Sequence, residues 1–363
     1  MAYFIAIFIV IIQAVLFLTH WFLYRTIARF FGIVNPEMLL VLKWGLGIFS
    51  VTFVLASLLA FRYNNFFTRI LYTAAAGWLG IFFFLFLAAA LLRLGSLLPV
   101  NHRLLAEILF SIGLLAGVYS LINAGLVRVT TITVKLPNLP VSWQGKTAVW
   151  ISDVHLGQIQ NYGFAKKLAG KISTLNPDAV FIGGDLYDGV AVDVNKVIEP
   201  FASLKPPQGI YFITGNHEEF GDNAKFLEAV KRIGIKTLND EAVDVGGLQI
   251  IGVDYHDSAN FQRYQKIMEG IKIDPGKPSI LLKHEPNNLA VAEQAGINLQ
   301  ISGHTHRAQV WPLSYIPKLT YKGYDYGLKM FGKMAVYTSS GAGTWGPPIR
   351  FLTYPEIVLI KFD

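Results

Sequence analysis

The chain has 363 residues, of which 53% are hydrophobic, and its mean hydropathy of +0.44 is too high for an ordinary soluble protein. It contains no cysteine, which excludes disulfides, zinc–thiolate sites and a cysteine nucleophile. The formal net charge is +7, but no basic run is interleaved with aromatic residues, so we expect no nucleic-acid partner.

The first third of the chain predicts a membrane region. A spanning helix needs roughly 20 mostly apolar residues. Four segments meet that requirement: Tyr3–Tyr24, Met38–Phe61, Ile70–Leu92 and Leu104–Leu126. The first of them lacks the basic start and the small-residue cleavage site of a signal peptide. We therefore expect residues 1–127 to form four transmembrane helices of a multi-pass cell-membrane protein, in contact with the lipid bilayer.

The arginines between these segments bear on the orientation in the membrane. Four spans place the N-terminus and the rest of the chain on one side. That side would hold Arg62, Arg69 and Arg128, and the other would hold Arg25, Arg29, Arg93 and Arg103. Because basic loops face the cytoplasm and no basic side chain precedes the first span, this distribution favours an extracytoplasmic position for the part that follows.

The remainder of the chain predicts an α/β domain. Residues 129–140, "VTTITVKLPNLP", alternate like a strand and end in prolines, so 128–145 is interpreted as a linker with a lead-in strand. Apolar runs typical of buried strands then begin at positions 147, 179, 209, 248, 279, 297, 334 and 356. Residues 161–175 and 223–234 space their apolar side chains at helical intervals. This alternation predicts a domain with a central sheet over 146–363.

Five of the predicted strands are followed by polar residues that suit metal or acid–base chemistry. In an α/β sheet, ligands collect beyond the carboxyl ends of the strands. Seven side chains there can bind a metal: Asp153, His155, Asp185, Asn216, His284, His304 and His306. Imidazole, carboxylate and amide oxygen donors without thiolate suit Mn²⁺, Fe or Zn²⁺. Seven ligands are too many for one ion, so we expect two divalent ions, roughly 3.5–4 Å apart and sharing a carboxylate.

Each of these motifs alone is typical of a polar turn, whereas five of them, each after its own strand, indicate a site. The remaining three histidines, His20, His102 and His256, lie outside the pattern, and we expect structural roles for them.

The five blocks "SDVHLG", "GGDLYDG", "GNHE", "KHEP" and "SGHTH" occur in the order found in the calcineurin-like metallophosphoesterases, and the chain resembles that family from about Lys146 to Asp363. The resemblance implies a four-layer α/β–β/α sandwich of two mixed sheets flanked by helices. Gly189 follows Asp188, unlike the GDxxDRG pattern of Ser/Thr protein phosphatases. The tail "YTSSGAGTWGPPIRF" is similar to the membrane-associated bacterial phosphodiesterase branch, which includes YaeI- and YkuE-like proteins.

The resemblance also implies roles for single residues. The first metal site would use Asp153, His155, Asp185 and His306, and the second would use Asp185, Asn216, His284 and His304, with Asp185 as the bridge. His217 would be no ligand but would face the phosphate as general acid or charge stabiliser. A hydroxide bridging the two ions would attack phosphorus. We expect the ions to be Mn²⁺ in preference to Fe or Zn²⁺.

These expectations combine into a membrane-anchored metal-dependent phosphoric ester hydrolase that cleaves a phosphodiester or pyrophosphate bond, with a phosphorylated or lipid-linked substrate. Arg307 and Arg350 are candidate substrate-binding residues because a guanidinium fits phosphate bidentately. Arg307 stands in "GHTHRAQ", where the branch usually has GHTHGGQ. The aromatic and basic segment 310–333 suits contact with lipid headgroups. Two alternatives stay open: an anchored enzyme acting on soluble nucleotides, and a non-catalytic binding scaffold. The oligomeric state is left open.

Overall fold

A computed structural model of the chain describes residues 2–189, 192–220 and 223–363. It divides into two compact units. The first comprises Met1–Asn123 and Gly346–Ile349, and the second comprises Ala124–Trp345 and Arg350–Asp363.

Long apolar helices form the first unit, as predicted. They are α1 (Ala2–Phe30), α2 (Pro36–Arg62), α3 (Phe66–Gly95) and α4 (His102–Ala124). All four are long and apolar enough to cross a membrane. Small residues let α4 approach α3 closely, since a Cβ at Gly113 would lie 3.0 Å from the Phe84 carbonyl oxygen. His20 is buried and has the expected structural role, because it accepts a hydrogen bond from Trp78 Nε1 at 3.1 Å.

The described part of the second unit contains two six-stranded sheets. The strands are β1 (Arg128–Val134), β2 (Thr147–Ile151), β3 (Ala179–Gly183), β4 (Ile210–Ile213), β5 (Lys236–Thr237), β6 (Glu241–Val245), β7 (Leu248–Gly252), β8 (Ser279–Leu282), β9 (Leu299–Ser302), β10 (Gly327–Phe331), β11 (Met334–Thr338) and β12 (Glu356–Phe362). The strand orders are β1-β12-β2-β3-β4-β5 and β10-β11-β9-β8-β7-β6. Both sheets are mixed. β12 runs antiparallel to β2, and the outer hairpins β6–β7 and β10–β11 are antiparallel, whereas β2–β3–β4 and β7–β8–β9 are parallel.

Seven α-helices are described in the second unit. They are α5 (Tyr162–Thr174), α6 (Val194–Ile198), α7 (Asn223–Arg232), α8 (Tyr255–Ser258), α9 (Phe261–Gly270), α10 (Leu289–Gln294) and α11 (Tyr315–Thr320), with 3₁₀ helices at Val141–Trp143, Glu199–Ser203, Glu218–Phe220 and His306–Ala308. One apolar cluster lies between the sheets and includes Trp150, Phe181 and Ile301. Two further clusters pack α5–α7 on the first sheet and α9 and α10 on the second. The four-layer sandwich is therefore confirmed.

The predicted strands agree closely with the observed ones. All eight apolar runs form strands, and the two amphipathic stretches form α5 and α7. The lead-in strand is β1, which pairs in parallel with β12 from Arg128 to Val134 and so is an edge strand of the first sheet.

Candidate metal centre

The predicted ligands follow the carboxyl ends of five strands, β2, β3, β4, β8 and β9. Asp153 lies two residues beyond the end of β2, and Asp185 two beyond the end of β3. Asn216, His284 and His304 follow β4, β8 and β9 at similar distances. The carboxyl ends of these strands lie at the same edge of the two stacked sheets, so residues that are far apart in sequence meet in one cluster.

The backbone at this cluster is unusual. Five of the predicted ligands have left-handed φ angles: Asp153 (53°), His155 (53°), Asp185 (49°), His304 (69°) and His306 (46°). Such conformations cost energy for residues with a Cβ and persist only where the surroundings enforce them, often at functional sites. The turn after β9 also needs a close backbone approach, because a Cβ at Gly303 would lie 2.3 Å from Asp153 Oδ2.

One group of donor atoms comes from three buried residues, Asp153, His155 and His306. His155 Nε2 lies 3.0 Å from His306 Nε2, and His306 Nε2 lies 3.5 Å from Asp153 Oδ1. Asp153 is held in place by the His304 backbone N–H, which donates to Oδ1 at 2.9 Å. The three donor atoms lie within 4.8 Å of one another, which is the spacing that a shared cation requires.

A second group comes from Asp185, His284 and His304, with Asn216 beside them. His304 Nδ1 lies 2.9 Å from Asn216 Oδ1 and 3.2 Å from His284 Nε2. His284 Nε2 lies 3.2 Å from Asn216 Oδ1.

Asp185 touches both groups. Its Oδ2 lies 3.3 Å from His284 Nε2 and 3.9 Å from His155 Nε2. Its Oδ1 accepts the backbone N–H of His217 at 2.8 Å. The structure therefore brings together all seven predicted ligands, with Asp185 lying between residues of the two groups.

The protonation pattern of the histidines fits divalent cations. His284 Nδ1 donates to the Gly183 carbonyl at 2.7 Å, and a carbonyl only accepts, so Nε2 is the nitrogen that would offer a lone pair to a metal when the ring is neutral. In the metal-free chain burial is outweighed by the Asp185 carboxylate, which raises the pKa of His284 to about 10, so a bound cation would displace the Nε2 proton. That Nε2 faces the oxygens of Asn216 and Asp185. Acceptor atoms that converge in this way repel one another unless a proton or a cation lies among them. Imidazole nitrogen, carboxylate oxygen and amide oxygen are the ligands that borderline divalent metals accept, so such a cation fits this cluster.

Comparison with known proteins agrees with this geometry. Residues 147–308 match the family model described as calcineurin-like phosphoesterase. The chain is 32% identical over 273 residues to an uncharacterized metallophosphoesterase of Campylobacter jejuni, covering 72% of this chain and 71% of that protein. The chain belongs to the metallophosphoesterase family.

Other relatives of this metallophosphoesterase support the membrane assignment and the branch. A Danio rerio transmembrane protein with metallophosphoesterase domain is 29% identical, covering 77% of this chain and 70% of that protein. The uncharacterized metallophosphoesterase YkuE of Bacillus subtilis is 28% identical, covering 64% of this chain and 85% of that one. The chain spans 58% of the length of a further relative from Helicobacter pylori. The family is one of phosphoesterases that use divalent metals, and the four apolar helices of this chain are long enough to cross a membrane.

Burial and charge set the protonation states in this metallophosphoesterase. Burial raises the pKa of Asp185, but the charges of His284 and His155 outweigh it and hold that pKa well below its usual range. Burial, together with the neighbouring His284, lowers the pKa of His304 to about 4, and burial and His155 lower that of His306. The last two histidines are therefore neutral at pH 7, as metal ligands must be.

His217 lies at the edge of the cluster, with its ring centroid 4.5 Å from that of His155. Its Nδ1 lies 3.2 Å from the backbone carbonyl of Asp188, which can only accept, so Nδ1 carries a proton and Nε2 is the titrating atom. Burial and His155 lower the pKa of His217.

Three carboxylates that are not among the predicted site residues support the site. Glu218 is fully buried and accepts the backbone N–H groups of Asp185, Leu186, Tyr187 and Gly215 at 2.7–3.1 Å. Asp188 Oδ1 lies 3.4 Å from His155 Nδ1, and Glu285 Oε1 lies 3.5 Å from His304 Nε2. A carboxylate behind a histidine ligand orients its ring and raises its basicity. All three carboxylates lie within the predicted ligand motifs, and this position is the feature of the sequence that could have identified them.

The two candidate arginines differ. Arg350 is fully buried, and its guanidinium donates to the carbonyls of His306, Ser340 and Gly343, each at 2.7 Å. Burial lowers its pKa to about 10, so it stays charged. The prediction that Arg350 binds substrate is therefore corrected, because the side chain fastens the His306 turn from within.

Arg307 is half-buried and lies at the surface of the site. Its guanidinium lies 4.1 Å from the centroid of the Tyr326 ring. Like Ala308 after it, Arg307 adopts a left-handed φ angle, 48°, in the positions where the branch pattern has glycines. It remains a candidate for phosphate binding.

Proposed function

We propose that this chain is a membrane-anchored hydrolase that cleaves a phosphodiester or pyrophosphate bond of a lipid-linked substrate with two divalent cations, preferably Mn²⁺. Residues 1–127 would be the membrane region, 128–145 the lead-in and 146–363 the catalytic domain. The observation that carries the proposal is the position of Asp185, whose Oδ2 lies 3.3 Å from His284 Nε2 in one donor group and 3.9 Å from His155 Nε2 in the other.

The cluster would hold the two cations in two overlapping sets. Asp153, His155, Asp185 and His306 would hold the first, and Asp185, Asn216, His284 and His304 the second. When bound, such a pair would supply Lewis-acid stabilisation to phosphoryl oxygens and would lower the pKa of a coordinated water.

His217 would supply the proton in this reaction. Its Nδ1 proton is held by the Asp188 carbonyl, so Nε2 exchanges the proton with the departing oxygen. A phosphoryl group beside the ring would raise the pKa of His217 against the lowering by burial, because an anion favours the protonated form. Arg307, at the rim, would bind a phosphate oxygen.

The lipid-linked substrate is inferred from the anchor. Only residues 125–127 separate the end of α4 from the start of β1, so the catalytic domain stays within a short chain length of the bilayer surface. A soluble substrate would not need that proximity.

The experiment is ³¹P NMR of a lipid extract from the source membranes, incubated with purified full-length protein and Mn²⁺, with His217→Ala as the matched control. We expect a phosphodiester or pyrophosphate signal that disappears only with the wild type. An unchanged lipid spectrum together with hydrolysis of a soluble diester would indicate a soluble substrate. Metal binding without any hydrolysis would indicate a binding scaffold.

A further inference from the structure

Residues 311–333 of the second unit form an exposed surface that is both apolar and basic, here called the amphipathic surface. It consists of the turn before α11, α11 itself, the loop that follows it, strand β10 and the two residues after that strand. Its exposed apolar side chains are Trp311, Leu313, Tyr315, Ile316, Leu319, Leu328 and Met330. Leu319 is 80% exposed and Ile316 is 62% exposed, which is unusual for side chains of this size grouped within six residues.

The charges of the amphipathic surface have one sign. Lys318, Lys322, Lys329 and Lys333 are all exposed. Asp325 is the one acidic residue in this stretch of sequence, and it is buried. Apolar side chains among lysines, without exposed carboxylates, are typical of a surface that meets anionic lipid headgroups.

The backbone beneath these side chains is firmly held. Thr305 Oγ1 donates to the Asp325 carbonyl at 2.8 Å, and Thr338 Oγ1 donates to the Tyr324 carbonyl at 2.7 Å. The Tyr324 ring packs against Phe331. Because some aromatic rings of the segment pack inward while Leu319 and Ile316 point outward, the exposed side chains belong to a folded surface.

The amphipathic surface borders the metal centre. Tyr321 directly follows α11, and its hydroxyl donates to Glu285 Oε1 at 2.8 Å. That same oxygen lies 3.5 Å from His304 Nε2, and the Tyr321 ring centroid is 6.3 Å from that of His304. Contact of this surface with a bilayer would place the centre at the lipid–water interface.

We propose that the amphipathic surface inserts into the interface of a bilayer that contains anionic lipids. Two observations favour this occupant over a protein partner. The exposed charges complement anionic headgroups. The membrane helices are joined to β1 by residues 125–127, which keeps the domain beside a bilayer. The proposal concerns docking, and it does not depend on which bond the enzyme cleaves.

The chain has no cysteine, so single labelling sites can be introduced without removing others. Nitroxide spin labels would be attached to Leu319→Cys and Ile316→Cys in full-length protein in nanodiscs with anionic lipid. Val141→Cys, on a residue 82% exposed in the same unit, is the matched control. The measurement is the collision rate of each label with oxygen, which partitions into lipid, and with a nickel chelate, which stays in water.

We expect the labels at 319 and 316 to favour oxygen over the chelate at least several-fold, while the label at 141 favours the chelate. A water-like label at 319 in anionic nanodiscs would overturn the proposal. A label at 319 shielded from both agents would indicate a protein contact and would also overturn it.

Charge reversal tests the part played by the lysines. In Lys318→Glu/Lys322→Glu the oxygen preference at Ile316→Cys should fall, whereas the control reversal Lys205→Glu, at another exposed lysine, should leave it unchanged. Equal depth in both variants would refute recognition of anionic lipid. These readouts need no turnover, so their failure is distinguishable from a failure of the proposed hydrolysis.

Discussion

Glu218 offers a sharp test of how the metal centre is built. Its carboxylate joins two loops that carry predicted ligands: Oε2 accepts from Asp185 N and Gly215 N, and Oε1 accepts from Leu186 N and Tyr187 N. In Glu218→Gln one oxygen becomes an NH₂ group, which cannot accept. Whichever way the amide is turned, two buried backbone N–H groups lose their acceptor.

The expected loss of stability follows from the two N–H groups that are left without an acceptor. An unsatisfied buried donor costs about 1–3 kcal/mol, so two of them destabilise the fold by roughly 2–6 kcal/mol. For a domain of this size about 1 kcal/mol shifts the unfolding midpoint by roughly 2–4 °C, which gives a fall of roughly 4–24 °C. The assay is thermal unfolding of the purified metal-free chain, followed by near-UV circular dichroism.

Glu219→Gln is the matched control, because Glu219 is the exposed neighbour of Glu218 and lies 3.6 Å from His256 at the surface. That variant should unfold within about 2 °C of the wild type, as surface substitutions usually do. If Glu218→Gln unfolded at the same temperature as Glu219→Gln, the carboxylate would not be holding the two loops together, and the reasoning would be refuted.

Three further substitutions separate the roles of the remaining side chains. His217→Ala should keep the bound metal but slow turnover by roughly 10²–10⁴, with exposed His256→Ala as control; loss of metal would make His217 a ligand instead. Arg350→Lys should reduce the free energy of unfolding by about 3–6 kcal/mol with KM unchanged, because one ammonium group cannot reach all three carbonyls. A raised KM at unchanged stability would instead show that Arg350 contacts the substrate. Arg307→Ala should raise KM about 10–100-fold at constant metal content, and an unchanged KM would remove Arg307 from the substrate site.

The sheets and the ligands were predictable from the sequence because both depend on local patterns. Buried strands are continuous apolar runs, and polar residues at their carboxyl ends must share one edge of a sheet. The strands that escaped prediction lack that signal. β5 has two residues, and in β6 and β10 no residue is fully buried, so neither stands out from a loop.

The supporting groups were less predictable because their roles depend on long-range contacts. Glu218 binds backbone groups about 30 residues away along the chain, and periodicity carries no information about such a contact. The chemistry of Arg350 suits phosphate equally well, and only the return of the chain near Ser340 and Gly343 over its guanidinium makes it internal.

Metal stoichiometry tests most directly whether the single carboxylate of Asp185 serves two cations. Full-length wild type and Asp185→Asn would be equilibrated with Mn²⁺, separated from free metal and analysed by inductively coupled plasma mass spectrometry, with exposed Asp244→Asn as the matched control. We predict two ions per chain in the wild type and the control, and none in Asp185→Asn, because both sites lose their shared charge. An Asp185→Asn protein that still held two ions would contradict the bridging role.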